Sequence, residues 1–172
     1  MTMQKLFRAH RIAATCAVLA LAASSASAQD AAPMDAPAKA SPSEAANAGA
    51  TPIAGDGVYK AFHEQAGIQR VMDDFIVRVT TDPRIMAKFQ GANLPRLKIL
   101  LVQQVCYLTG GPCVYGGRDM KDAHAGMNLE DKDFNALAED LQLSMDKEQV
   151  PFGAQNQLLA KLAPMERPIV TK

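Results

Sequence analysis

The sequence lacks most of the signals that would point to a sheet or to a polyanion partner. No segment alternates apolar and polar residues over a useful length, which excludes an ordinary half-buried sheet. No internal repeat is visible, so a solenoid or array is excluded. There is no excess of positive charge, with 18 Lys and Arg against 18 Asp and Glu. Neither nucleic acid nor an anionic membrane surface is therefore favoured as a partner. No flavin or nicotinamide motif is present, and only one long apolar run occurs. Histidine is scarce, at His10, His63 and His124, and cysteine equally so, at Cys16, Cys106 and Cys113.

What is present begins with a leader-like pattern. Lys5, Arg8 and Arg11 precede an apolar run from Ile12 to Ala23, followed by Ala26-Ser27-Ala28. A basic n-region, a short h-region and an A-x-A site in that order predict a signal peptide over residues 1–28, cut after Ala28. The expected location is periplasmic or secreted, with no membrane partner once the leader is removed. Without Lys5, Arg8 and Arg11 the remainder carries 15 basic against 18 acidic residues. Residues 29–56 are rich in Ala, Pro and Ser and hold no aromatic residue. Such a composition offers too little apolar area to offset ordering entropy, and predicts a disordered linker. One folded domain is expected over residues 57–172.

Within that domain four apolar patterns have helical spacing. Ile68, Val71, Met72, Phe75, Ile76 and Val79 form one face. Leu94, Leu97, Leu101, Val105 and Leu108 form a second, with Asn93 as N-cap and Pro95 tolerated in the first turn. Phe134, Leu137, Leu141 and Met145 form a third, behind the acids Glu130, Asp131 and Asp133. Leu158, Leu159, Leu162 and Met165 form a shorter fourth, broken by Pro164. Between the second and third lies a long irregular stretch, Thr109 to Asp119, with Gly110, Gly111, Pro112, Gly116 and Gly117. Loops of this length inside small domains tend to be functional. The fold class expected is all-α. Cys106 and Cys113 flank the glycine turn; a disulfide and two free thiols both remain open from the sequence.

His124 is the one histidine at a plausible ligand position. His10 lies in the leader and His63 in a polar stretch, Phe62-His63-Glu64-Gln65. His124 follows the Gly-rich loop and stands among Met120, Ala123, Ala125, Gly126 and Met127, whose small members let backbone approach a flat macrocycle closely. No C-x-x-C-H occurs, which excludes c-type covalent haem attachment. From about Tyr59 to Val170 the ordered motifs resemble group I truncated haemoglobins. They are Asp73-Asp74-Phe75, Val77-Arg78-Val79, Asp82-Pro83-Arg84-Ile85 with Phe89, Asn93 to Lys98, Gly110-Gly111-Pro112, Tyr115-Gly116, Met120, His124, and Phe134 with Ala138 to Leu141.

The resemblance implies a two-over-two helical sandwich around haem b. It implies His124 as the proximal iron ligand and Phe89, Tyr115 and Met120 as haem contacts. On the distal side it implies Ile76, Leu97 and Leu101 beside the ligand, where relatives often carry tyrosine or polar residues; Leu100 is apolar too. Gln104, one turn past Leu101, can turn either inward or to solvent, and the solvent-facing position is the one expected. Arg96, Lys98, Arg118 and Lys121 are candidates for the propionate edge, Arg96 foremost. The family's usual Gly-Gly near the first helix junction is replaced by His63-Glu64. The function so implied is reversible binding of a diatomic gas, dioxygen, nitric oxide or carbon monoxide, with an unidentified electron donor. The alternatives are nitric oxide dioxygenation or weak peroxidase activity on the same scaffold, and a haem-free helical interaction module. A Soret band separates the last from the others.

Overall fold

The computed structural model describes residues 47–172. The predicted signal peptide and most of the predicted linker lie outside the described residues. Seven α-helices are described: α1 (Gly57–Ala61), α2 (Glu64–Thr81), α3 (Leu94–Leu108), α4 (Met120–Ala123), α5 (Asp131–Lys147), α6 (Phe152–Leu162) and α7 (Glu166–Ile169). Short 3-10 turns stand at Met86–Phe89 and Ala163–Met165. Among the described residues there is no strand, only a lone β-bridge between Leu129 and Val170. No described helix is long and apolar enough to cross a membrane.

The four predicted amphipathic patterns are α2, α3, α5 and α6. Helix α2 packs on both α3 and α5, and α6 closes against α3 and α5. The result is the expected all-α arrangement of two helix pairs. Ile68, Val71, Met72, Phe75 and Val79 of α2 are buried together with Val105 and Leu108 of α3 and Leu141 and Met145 of α5. Asn93 caps α3 as its spacing predicts, its side chain accepting the Arg96 N–H at 3.1 Å. The fourth pattern ends at Leu162, and the chain passes Pro164 as a 3-10 turn because proline cannot donate a helical hydrogen bond.

At the α1–α2 junction the chain needs left-handed backbone at two successive residues. His63 has φ 57° and Glu64 φ 59°. Side chains there cost roughly 1–2 kcal/mol per residue relative to glycine-like freedom, which is the physical content of the missing Gly-Gly. Next to this junction a Cβ on Gly67 would stand 2.0 Å from the Phe62 carbonyl oxygen, so only glycine lets α2 leave at this angle.

The predicted boundary at residue 57 does not coincide with the edge of packing. Ala48 is fully buried, and the Ile53 N–H donates to the Leu108 carbonyl at 2.9 Å. The low apolar content of residues 29–56 concealed this, because one small side chain and main-chain hydrogen bonds suffice to dock the end of the segment. Cys106 and Cys113 are joined in a disulfide with a Cα–Cα distance of 5.7 Å, which ties the end of α3 to the irregular loop.

Candidate functional site

A cavity of about 440 Å³ lies between α2, α3, α5, α6 and the one-turn helix α4. That is within the range of roughly 300–1,000 Å³ for small-molecule and cofactor sites. Its walls are apolar almost throughout: Met72, Phe75, Phe89, Leu97, Leu101, Val105, Phe134, Leu137, Leu162 and Ile169 all line it. The polar side chains on this wall are one imidazole, His124, two amides, Gln104 and Asn135, and the charged Lys88, Asp133 and Glu166.

The loop and the short helix set the imidazole. Asp119 caps α4 by accepting the Asp122 N–H at 3.0 Å, so the chain turns once and stops. His124 follows directly as the C-cap. Its Nδ1 lies 2.7 Å from the carbonyl oxygen of Met120. A carbonyl only accepts, so Nδ1 is the donor, and in the neutral ring that leaves the lone pair on Nε2. This is the outer hydrogen bond that orients a metal-binding imidazole and raises its basicity. Among the described residues no group of three or more His, Cys, Asp or Glu forms a metal cluster. The wall thus offers one imidazole nitrogen among mostly apolar side chains, which would suit an iron already held by a macrocycle.

Five of the residues expected at the site come together on the cavity wall: His124, Phe89, Leu97, Leu101 and Met120. Three do not. Ile76 is half-buried on α2 and off the wall, since its neighbour Phe75 takes the inward direction and successive helical residues diverge by about 100°. Tyr115 is buried, but its hydroxyl is turned to the Arg118 carbonyl at 3.1 Å, beside Gly117, and it braces the loop from outside the cavity. Arg96 is exposed on the first turn of α3 and does not reach the cavity. Lys98, Arg118 and Lys121 are likewise absent from its lining, and Lys98 is paired with Asp73 at 2.7 Å. Leu100 packs on the core without lining the cavity.

Gln104 corrects the sequence reading. It is buried and inward, its Nε2 donating to the Ala48 carbonyl at 2.9 Å and lying 3.3 Å from the Met120 Sδ. The spacing held the signal: Leu97, Leu101 and Gln104 follow at i, i+4 and i+7, one helix face. Polarity alone had turned it outward.

Lys88 was not singled out from sequence, and Asp133 only as an acid at a helix start. Lys88 lines the cavity from the 3-10 turn that carries Phe89. Its Nζ donates to the carbonyls of Met127 at 3.3 Å and Asn128 at 2.9 Å, and lies 3.3 Å from the Asp133 carboxylate. Three acceptors match the three protons of an ammonium. Asp133 also accepts the Glu130 N–H at 3.0 Å. Burial works against ionising this carboxyl, but the Glu130 amide and Lys88 prevail and hold it below the usual aspartate range. The pair clasps the turn on one wall to the chain just beyond His124.

Residues 57–171 match the family model described as bacterial-like globin. The group 1 truncated hemoglobin of Nostoc commune is 33% identical over 84 residues, covering 49% of this chain and 71% of that protein. The crystal structure of the truncated hemoglobin from Tetrahymena pyriformis in its Fe(III) form superposes with a TM-score of 0.64 at 23% identity, over 67% of this chain and 98% of that one. The 2/2 hemoglobin of a Synechococcus species, solved with covalently attached heme, gives 0.62 at 21% identity, over 67% and 98%. With the helix pairs, the apolar cavity and the single oriented imidazole, these matches show that the chain belongs to the bacterial-like globins, as a group I truncated haemoglobin.

Proposed function

We propose that this globin holds haem b in the cavity, with His124 as its protein ligand, and reversibly binds a diatomic gas outside the cytoplasm. The observation that carries the reading is the Nδ1–H of His124 on the Met120 carbonyl, which in the neutral ring leaves the lone pair on Nε2, with His124 on the wall of a mostly apolar cavity. Haem supplies the iron at which a diatomic ligand binds. The chain supplies everything else. The Met120 carbonyl fixes the imidazole plane and tautomer. Phe89, Leu97 and Leu101, which line the cavity, would cover the macrocycle and exclude water. Neither Leu97 nor Leu101 offers a hydrogen-bond donor, and the Gln104 amide is already engaged by Ala48 and Met120. A distal face whose leucines offer no donor favours carbon monoxide and nitric oxide relative to dioxygen, whose outer atom becomes partly negative on binding.

The location is supported by the leader pattern of residues 1–28 together with the Cys106–Cys113 disulfide, since disulfides persist in oxidising compartments. Absorbance spectra of the ferric, ferrous and carbonyl forms test the cofactor assignment, with a Soret band and a five-coordinate ferrous form expected. His124→Ala should lose most of its haem on purification or depend on added imidazole, whereas His63→Ala, in an exposed junction, should leave the spectrum unchanged. Unaltered haem retention in His124→Ala would remove the basis of the reading.

A further inference from the structure

Asp140 is a buried acid that does not line the cavity. It lies on α5 and is only 4% exposed. Ser144, one turn further along α5, donates to Asp74 of α2 at 3.0 Å, so this stripe of α5 faces α2. The Oδ2 of Asp140 is buried without a hydrogen-bond partner. Such atoms are rare in native proteins, because each carries its full desolvation cost. The cations nearby are engaged elsewhere. Arg84 holds Asp82 through Nη2 at 2.7 Å and Glu139 through Nη1 at 2.5 Å. Arg78 holds Asp74 at 2.6 Å, and Lys147 holds the same carboxylate at 2.5 Å. Asp140 thus faces Asp82 and Arg78 from α2 and its cap, Arg84 from the following turn, and Glu139 from its own helix. The end of α2 adds no donor. The residue four on from Val79 is Pro83, which has no N–H, and the Arg84 N–H goes to Asp82 Oδ1 at 2.8 Å. An ionised carboxylate here is buried, unpaired and near the C-terminal end of a helix, which repels anions. Protonation removes these costs. Burial first and then Asp82 push the carboxyl above the usual aspartate range, against Arg84 and Arg78.

We propose that Asp140 is a proton-operated latch between α5 and the turn of residues 82–89, tight when its carboxyl is protonated and loosened when it ionises. The latch does not depend on the haem reading, since no part of it touches a cavity ligand. The turn is the part that moves. It is held to the end of α2 by the Ile85 and Met86 N–H groups on the Asp82 carbonyl, at 3.1 and 2.8 Å. It carries Ile85, Lys88 and Phe89 to the cavity wall. Ionised Asp140 repels the carboxylate of Asp82, the residue on whose carbonyl the turn hangs. Protonated Asp140 exerts no such force, and its O–H becomes a donor in a place short of donors. Linkage fixes the sign. The folded-state value lies above the unfolded one, so the cost is absent below the ordinary aspartate range. It grows as pH rises to the raised value and is complete above it. Acid therefore tightens the wall that carries Phe89.

The test is hydrogen exchange at the Ile85 and Met86 amides of the full-length chain as purified, followed from acid to neutral pH. Infrared spectra of the same samples report the protonated carboxyl. Wild type should lose about tenfold in protection at these amides as pH rises through the Asp140 step, the shift that one buried unsatisfied polar group brings. Asp140→Asn is neutral and has the same shape. It should keep the acid-level protection at every pH and melt above wild type at neutral pH. It should also lack the carboxylic-acid band that wild type retains above the ordinary aspartate range. A carboxylate with a merely structural role would instead make Asp140→Asn less stable. Glu139→Gln, at an exposed position, frees one arm of Arg84 for Asp140 and should move the step to lower pH. Protection that is flat with pH in wild type, or a step that persists in Asp140→Asn, overturns the latch. Should Asp140→Asn fail to fold, an unmoved step in Glu139→Gln overturns it equally.

Discussion

The two walls that face each other across the cavity are made in opposite ways. The wall carrying Leu97, Leu101 and Gln104 is one regular helix of 15 residues, α3, capped at its start and apolar along one face. The wall carrying His124 is a single helical turn of four residues behind an irregular loop. The regular wall offers shape and one amide that is already engaged, whereas the irregular one offers the only imidazole among the described residues that line the cavity. A side chain on a long helix inherits its direction from periodicity. One at the end of a single turn needs local devices instead: the Asp119 cap, the Met120 carbonyl on Nδ1, the Tyr115 brace and the disulfide. The chemistry thus sits where backbone geometry is least repetitive and is held there by specific bonds.

Cutting the covalent link between the walls should have the largest effect. Cys106 is fully buried on α3 and Cys113 lies in the loop. A crosslink closing so short a loop contributes about 2–3 kcal/mol in the chain-entropy account. Cys113→Ser should lower the melting temperature and the haem affinity together, and should make both insensitive to dithiothreitol. If reductant leaves wild-type melting unchanged, glycine packing against residues 53–59 alone holds the loop, and the contrast between the walls loses its covalent part.

Giving the regular wall some chemistry should have the next largest effect. Leu97 is on the cavity surface and carries no donor. Leu97→Gln places an amide there. A hydrogen bond to a charged group contributes about 1.5–3 kcal/mol, so dioxygen release should slow by about ten- to a hundredfold, with carbon monoxide release nearly unchanged. Stopped-flow dioxygen release measures it. Equal slowing of both gases would mean that the substitution blocks escape sterically.

The same contrast explains what the sequence discloses. Helices α2, α3, α5 and α6 are legible because their burial follows a 3.6-residue period, and Asn93 and Pro95 mark where α3 starts. His124 is legible as a lone histidine after a glycine loop, and its family motifs assign it a place. The short helices α1 and α4 and the 3-10 turn at Met86–Phe89 carry no period long enough to detect. Ile76 and Arg96 were assigned to the pocket by position, yet their direction depends on how α2 and α3 are rotated against their neighbours. Gln104 shows the opposite error, a polar residue assigned to solvent although its register is inward. The docking of Ala48 is invisible in composition because it rests on one methyl group and a main-chain carbonyl. Lys88 and Asp133 meet only through folding, being 45 positions apart in the chain.

That pair supplies the smallest and most condition-dependent effect, since it joins the turn before α3 to the start of α5 and the chain beyond His124 without a covalent bond. Asp133 is almost fully buried and accepts from both Lys88 and the Glu130 amide. Its carboxyl is held below the usual aspartate range, with burial opposing and the amide and Lys88 outweighing it. A depressed folded-state value means that the clasp contributes in full above the unfolded aspartate range. It is lost as pH falls through the lower, folded value. Above that window haem retention should be flat with pH with respect to this group, and below it haem transfer to an acceptor apoglobin should accelerate. Asp133→Asn should raise the neutral-pH transfer rate about threefold to tenfold, the weight of one partly buried charged contact, and remove the acid-dependent step that Asp133 contributes. Lys88→Met keeps the apolar stem on the cavity wall and removes the ammonium, so it should reproduce the kinetic effect while leaving the capping bond to Glu130 in place. If transfer in Lys88→Met matches wild type, the clasp does not help to hold the segment beyond His124, and the disulfide and the Met120–His124 bond carry that role alone.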